Sequence, residues 1–377
     1  MKVFIMAGIR PDFINLVLLV KELDHLWGKE NVIFCHSGQH YDYNLDKIFF
    51  EQLGLREPDY HLGIRGVQDS LSPTEQIGQL IIKTEPLLKK EMPHIAIAFS
   101  DGNPSMFGIT ANRLGIRLMH LEAGMRSNDY RMLEEKNRRI IDSISDYLFP
   151  PSNVAYQNLI REGYGPERIH LVGKIILDVI EHYMENIDSI KQPLDLEAEH
   201  YFLAEFHRPE NVDDEVNLRT IVKFLSTVAK QYNLPVVMPA HPRTSRSLER
   251  FNIKLNDMVK ILEPMGFFEF EKLQKNAFAV ITDSGTSQEV CCYHHIPCLV
   301  MRMSTERQEC VEIGASDICG DREGRYSIDD SLLKLKNLID RPRDWQVPYK
   351  PNAVTDIVGF LKENEHAIYS RKVWWYD

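Results

Sequence analysis

Ile95-Ala96-Ile97-Ala98-Phe99-Ser100-Asp101-Gly102 is an apolar run of strand length that stops abruptly on a small polar turn. A continuous apolar run, rather than an alternating one, marks a strand buried on both faces, as in parallel sheets covered by helices. The plan repeats in both directions from there. Lys2–Ala7, Val32–His36, Arg117–Leu121, Tyr147–Phe149 and Ile169–Val172 read as further strands, and Asp12–Leu26 has helical periodicity. After the charged stretch Glu181–Glu199 the plan starts again, with Tyr201–Ala204, Leu234–Met238, Val259–Leu262, Phe278–Thr282 and Cys298–Met301 as strands. Two successive arrays predict an α/β chain with two doubly wound parallel-sheet domains. The expected divisions are 1–173, 174–355 and a terminal piece, 356–377, where the helical stretch Ala353–Tyr369 runs into Trp374-Trp375-Tyr376.

Composition narrows the function. The chain has 377 residues, 44 Lys and Arg against 55 Asp and Glu, and a net charge of −11. Its 44% hydrophobic and 26% charged residues exclude wholesale disorder and a fibrous architecture. The longest apolar run, Phe13–Val20, is interrupted by Asn15 and falls far short of the roughly 20 residues a spanning helix needs. The acidic balance argues against non-specific nucleic-acid binding and leaves room for a local basic pocket around a phosphate. The opening residues read as a strand rather than an export signal, so the expected location is the cytoplasm, with reduced thiols. No pair among Cys35, Cys291, Cys292, Cys298, Cys310 and Cys319 has Cys-x-x-Cys spacing, which points to core packing rather than a zinc site.

Ligands of open parallel sheets bind beyond the carboxyl ends of the strands, so the residues just past each strand matter most. Gly8-Ile9-Arg10-Pro11-Asp12 comes after the first: Gly8 permits close approach, Pro11 suits a first helical turn, and Arg10 lies in the loop beside it. Asp101 comes after Phe99, where a helix cap is the plainer alternative. His120, Glu122 and Arg126 lie at and beyond the end of Arg117–Leu121, and a carboxylate at the end of an apolar strand is costly unless it is used. Glu134 and Arg138 are four apart and share a helix face; a surface ion pair is the plainer alternative. In the second half, His207-Arg208, His241-Pro242-Arg243, Asp283-Ser284-Gly285-Thr286-Ser287-Gln288-Glu289, and Arg302 with Glu306, Arg307 and Glu309 all come after strands. A strand, a small polar turn and a helix start suit a phosphate. The joint placement predicts a cleft between the domains that takes a phosphorylated or nucleotide ligand.

Six segments carry a resemblance: Gly8–Pro11, Ser37-Gly38-Gln39-His40-Tyr41-Asp42, His120-Leu121-Glu122-Ala123-Gly124-Met125-Arg126, Glu134–Arg138, His207-Arg208-Pro209-Glu210-Asn211 and Thr282–Gly285. In this order and spacing, from Met1 to about Leu361, the chain resembles the non-hydrolysing UDP-N-acetylglucosamine 2-epimerases. The resemblance implies a GT-B architecture with the UDP-sugar between two Rossmann-like domains and a C-terminal helix crossing back to the first. It implies a homodimer and inversion at C2 of a UDP-2-acetamido sugar, for surface polysaccharide synthesis, by elimination of UDP to a glycal and re-addition. Asp101, Glu122 and Glu134 map onto the family's catalytic carboxylates and His207 onto its catalytic histidine. Arg10, Ser284, Gly285 and Arg307 map onto nucleotide contacts, and Arg138 and His241 onto further cleft positions. Thr286 and Glu289 of the same turn complete the substrate set. No metal or other cofactor is expected, because Arg and His can carry the charge role of a cation.

The chain departs from that pattern at several places. Asp12 and Asn15 stand where the family has Glu and Lys. Ser100-Asp101-Gly102 replaces Gly-Asp-Thr, Leu133 replaces the Pro before Glu134-Glu135, and Val290 replaces a Glu that contacts the ribose. These changes imply an altered sugar, such as a 6-deoxy or uronic acid derivative, or altered chemistry. Gln39–Tyr43 and Arg65–Ser72 are the expected sugar-reading loops, and Gln39-His40-Tyr41-Asp42-Tyr43 lacks the methionine of the allosteric members, so activation by substrate is not expected. Two other classes use the same residues: a GT-B transferase or UDP-sugar hydrolase, and a catalytically silent nucleotide-sugar binder.

Overall fold

The computed structural model describes residues 1–38, 50–64, 71–192, 194 and 196–370. Gln39–Tyr43, 65–70 of the second expected sugar-reading loop, and the Trp374–Tyr376 tail lie outside the described residues. The chain forms two compact units: Met1–His182 with the returning segment from Tyr349, and Tyr183–Pro348.

The first unit holds β1 (Val3–Ala7), β2 (Val32–His36), β3 (Tyr60–His61), β4 (Ile95–Phe99), β5 (Arg117–Leu121) and β6 (Tyr147–Phe149), in the order β3-β2-β1-β4-β5-β6. Every neighbouring pair is parallel. The second unit holds β7 (Phe202–Glu205), β8 (Val236–Pro239), β9 (Val259–Leu262), β10 (Ala279–Thr282), β11 (Cys298–Val300) and β12 (Ser316–Ile318), in the order β12-β11-β10-β7-β8-β9. These pairs are parallel too. Each sheet reverses its winding direction beside its first strand, between β1 and β4 and between β7 and β10. Those are the points where open sheets of this kind leave a crevice for a ligand.

The apolar runs explain the layers. In the second unit alternate residues point to opposite faces, and both faces are covered. Phe202, Ala204, Val236, Met238 and Ile281 enter one core, while Leu203, Val237, Val280, Cys298 and Val300 enter another. All six cysteines are buried and free, as core packing requires.

Four differences from the sequence reading have local causes. Ile169–Val172 is not a strand but a single parallel bridge between Leu148 and Ile169. The partner segment continues as Pro150-Pro151, which lacks the N–H groups of a full ladder. The two short edge strands β3 and β12 are too brief and too polar to stand out as apolar runs. The C-terminal helical stretch is two helices, Ala353–Glu363 and Glu365–Tyr369, divided at Asn364. Finally, the helix Ile175–His182 packs on the helix Arg10–Trp27, and Asp178 Oδ2 accepts the Val354 N–H at 2.7 Å. The first unit therefore runs through His182, past the division expected at Gly173, and resumes at Tyr349, ahead of the one expected at 355.

Candidate active site

In the first unit the candidate residues sit at the carboxyl ends of β1, β4 and β5. After β1 the chain turns directly into helix α1 (Arg10–Trp27), so Arg10 is its first residue rather than a loop residue. Gly8 is required there: a Cβ would lie 2.0 Å from Pro104 Cγ and 2.6 Å from Ser37 Oγ. Asp12 Oδ2 accepts the Gly8 and Ile9 N–H groups at 2.8 and 3.1 Å. Burial pushes the Asp12 carboxyl up to about 7; the two N–H groups oppose the shift, and the charges of Asp101 and Glu122 add to it. Asn15 is buried, and its amide donates to Pro11 O at 2.7 Å.

Ser100 and Glu122, immediately after β4 and β5, have φ of 59° and 67°. Two non-glycine residues in the left-handed region at adjacent strand ends store strain that the surroundings must hold. A ring of charges does so. His120 is wholly buried: Nε2 lies 3.0 Å from Ser100 O and Nδ1 lies 2.6 Å from Asp142 Oδ1. Arg126 pairs with Asp142 at 2.7 Å and with Glu162 at 2.6 Å. Arg139 joins Glu162 to Glu135 at 2.7 and 3.0 Å, and Arg138 joins Glu135 to Asp101. The ring thus leaves Ser100 and closes on Asp101. Burial works against the charge on Asp142, yet His120 and Arg126 hold its carboxyl below the usual range.

The helix α2 (Leu133–Ile144) separates two neighbouring carboxylates. Glu135 is fully buried and takes Ser127 N–H, Ser127 Oγ–H, Arg138 and Arg139. Glu134 is half-buried in the first turn and has no hydrogen bond or ion pair among the described residues. The plainer alternative, a surface Glu134–Arg138 ion pair, is therefore not formed; Arg138 binds Asp101 and Glu135 instead, because the three-residue offset points Glu135 inward. The capping alternative for Asp101 does not hold either, since Gly102 caps the short 3-10 helix Asn103–Phe107.

In the second unit the candidates gather around the ends of β7 and β10. Asp283 is buried and accepts the His207 and Arg208 N–H groups at 3.1 Å each and the Asn211 amide at 3.0 Å. His207 Nδ1 lies 3.5 Å from Asp283 Oδ1, and its ring stands 6.0 Å from that of His241. His241 caps the helix Pro242–Arg250, with Nδ1 accepting Arg243 N–H at 3.1 Å. Ser284 caps α3 (Gly285–Tyr293), which also carries Thr286 and Glu289. Arg307 Nε reaches Glu289 at 2.5 Å, Arg307 also pairs with Glu306, and Arg302 pairs with Glu306 at 2.8 Å. A Cβ on Gly285 would lie 2.4 Å from Arg307 Nη1, so the glycine lets the guanidinium lie along the helix start. Burial, then the charges of Arg208 and Arg307, hold Arg302 well below the usual guanidinium value. Crowded guanidiniums beside a helix N-terminus make a setting that an anion relieves. Val290 is buried in α3.

In the first unit Asp101 pairs with Arg138, and the charges of Asp101 and Glu122 both act on Asp12; in the second His207 meets Asp283 and His241, while Arg307 meets Glu289 and lies beside Gly285. Sequence reasoning missed Asp142 and Lys174. Lys174 is wholly buried, with Nζ 2.5 Å from Glu122 Oε1. The signal was a lysine inside the apolar stretch Leu171-Val172-Gly173-Lys174-Ile175-Ile176. Among the described residues no helix is long and apolar enough to cross a membrane, and no group of three metal-ligating side chains is found.

A family model described as UDP-N-acetylglucosamine 2-epimerase matches residues 27–362. The chain is 37% identical over 363 residues to the UDP-N-acetylglucosamine 2-epimerase of Methanocaldococcus jannaschii, covering 93% of this chain and 95% of that one. It is also 37% identical over 325 residues to the UDP-2,3-diacetamido-2,3-dideoxy-D-glucuronate 2-epimerase of Pseudomonas aeruginosa, covering 85% and 88%. The crystal structure of the M. jannaschii enzyme with UDP-GlcNAc and UDP superposes with a TM-score of 0.88 at 34% identity, covering 96% of this chain and all of that one (100%). With two parallel sheets wound alike and this match over most of its length, the chain belongs to the UDP-N-acetylglucosamine 2-epimerase family.

Proposed function

We propose that this protein inverts C2 of a UDP-2-acetamido sugar by eliminating UDP and adding it back. The observation that carries the reading is the placement of Asp101 and Glu122 beyond β4 and β5, with His207, Arg307 and the Ser284-Gly285 helix start beyond β7, β10 and β11. The C2 hydrogen is weakly acidic, so one carboxylate must take it and another group must return a proton to the opposite face. As the C2–H bond breaks, its electrons form the C1–C2 double bond and the C1–O bond electrons leave with UDP. Re-addition reverses these steps on the other face. Arg307, His207 and the N–H groups at the start of α3 are the groups assigned to stabilising a departing diphosphate. Asp101, Glu122 and Glu134 are the groups assigned to proton transfer, with Arg10, Arg138, His241, Thr286 and Glu289 as further substrate contacts. The family's resemblance supports a homodimer acting in the cytoplasm to supply surface polysaccharide.

Relatives named for a plain N-acetyl sugar and for a diacetamido uronic acid are both 37% identical to this chain over the matched residues, so the test uses a panel. UDP-GlcNAc and UDP-2,3-diacetamido sugars are incubated with the protein in D₂O while NMR follows the C2 proton. Loss of C2–H with appearance of the C2 epimer is expected for one member. Release of UDP with a free sugar would make the protein a hydrolase instead. UDP binding with no exchange on any donor would favour a transferase or a silent binder.

A further inference from the structure

Lys174 has no part in the chemistry assigned above, yet its placement is unusual. Its side chain is 0% exposed, and its ammonium lies 2.5 Å from Glu122 Oε1 and 3.5 Å from Met125 Sδ. A buried ammonium is costly unless a carboxylate meets it at close range. Both ends of the pair are held in place. Glu122 comes directly after β5 with φ 67° and is itself only 10% exposed at the side chain. Lys174 comes after Gly173, whose φ is 102° and where a Cβ would lie 1.9 Å from Lys350 O. Gly173 thus lets the chain pass the returning segment and turn Lys174 inward, and the helix Ile175–His182 begins at the next residue. Glu122 makes no other side-chain hydrogen bond among the described residues, so Oε1 is committed to Lys174 and Oε2 is left over.

Resting on the 2-epimerase reading, we propose that Lys174 is a positioning residue for the C2 proton transfer, fixing Glu122 through Oε1 so that Oε2 faces the reacting carbon. In the step it serves, Glu122 Oε2 takes the C2 proton, the C2–H electrons complete the C1–C2 double bond, and UDP leaves with the C1–O electrons. Lys174 keeps its protons throughout and touches neither sugar nor UDP. Its effect is therefore on turnover, not on nucleotide affinity.

The test compares wild type with Lys174→Met, Lys174→Gln and Lys174→Arg. The readouts are C2 deuterium incorporation in D₂O with the active donor, kcat and KM, and UDP affinity by calorimetry. Lys174→Met is expected to lower kcat for exchange at least a hundredfold, with KM and UDP affinity within threefold of wild type. Lys174→Arg, which keeps a cationic donor, recovers at least tenfold of that loss. If the Met variant does not fold, Lys174→Gln keeps an N–H donor without the charge. It is then expected to lower kcat at least tenfold with KM unchanged. The double variant Lys174→Met with Glu122→Gln removes the uncompensated carboxylate and is expected to melt above the Met single variant. Wild-type kcat in the Met or Gln variant overturns the proposal, and so does a loss carried by KM or left unrecovered by Arg. Absence of C2 exchange in the wild type on every donor overturns the epimerase reading, and this role with it. Exchange in the wild type with normal turnover in the variants overturns the Lys174 role alone.

Discussion

Asp12 shows how one side chain can couple stability to pH. Its carboxyl is pushed up to about 7 from an ordinary value of 3.8, chiefly by burial. An acid whose folded value exceeds its unfolded value binds more protons when folded. Its contribution to stability therefore falls as pH rises from about 4 to about 7, and stays unfavourable above that. Asp12→Asn cannot ionise and can still accept from Gly8 and Ile9 through its side-chain oxygen. Its stability relative to wild type is expected to rise by about 2 kcal/mol between about pH 5.5 and about pH 8.5, read from urea midpoints at the two pH values. A constant difference would show that Asp12 does not titrate in this window. The departure from the resembled family's pattern at this loop implies an altered sugar or altered chemistry. The structure adds a buried carboxyl that feels both Asp101 and Glu122.

At the scale of an element, α2 gives adjacent carboxylates opposite duties. Glu135 is buried among Ser127, Arg138 and Arg139, whereas Glu134, one residue earlier, keeps its carboxylate uncommitted among the described residues. Glu135→Gln is expected to cost about 3–5 kcal/mol in chemical denaturation, since it leaves buried guanidiniums short of a counter-charge. Glu134→Gln is expected to leave stability within about 0.5 kcal/mol and to lower C2 exchange at least a hundredfold. The helix start at Gly285 gives a third contrast. Gly285→Ala drives a methyl against Arg307, and a UDP affinity reduced at least tenfold in calorimetry is expected. The helix-period pattern showed where α2 lies and that Glu134 and Arg138 share a face. It did not show that Glu135 takes Arg138, because which of two neighbouring carboxylates turns inward depends on Ser127 and on Asp101, the second partner of Arg138, both brought near only by folding. The same limit hid Lys174: spacing cannot reveal a partner 52 positions away.

Across the whole molecule, the apolar strands and polar turns made the parallel sheets legible, because continuous burial and strand-end chemistry are both local patterns. The edge strands β3 and β12 were not legible: two or three residues carry no period. The return of the chain at Tyr349 was displaced for another reason, since it depends on Asp178 meeting Val354 rather than on composition. The two units also separate the assigned duties, with the C2 carboxylates in one and the anion setting in the other. UDP at about a hundred times its Kd should stabilise the protein by about 2.7 kcal/mol. Glu122→Gln is expected to keep that full increment in thermal denaturation, because the residue it changes belongs to the other unit. A lost increment would tie Glu122 to nucleotide affinity and remove it from the proton-transfer role.

The ring of charges that leaves Ser100 through His120 and closes on Asp101 has a consequence for how this sequence can change over time. Each member answers two neighbours, so replacing one strands both, and the members are bound by epistasis rather than by independent selection. A library that varies these positions one at a time is expected to lose most variants at the buried members His120, Arg126, Glu135, Arg138 and Asp142, and fewer at Arg139 and Glu162, which are about a quarter exposed. Accepted drift here should arrive as coordinated pairs, a carboxylate and its guanidinium replaced together, while the apolar strands beneath accept single volume-conserving hydrophobic swaps.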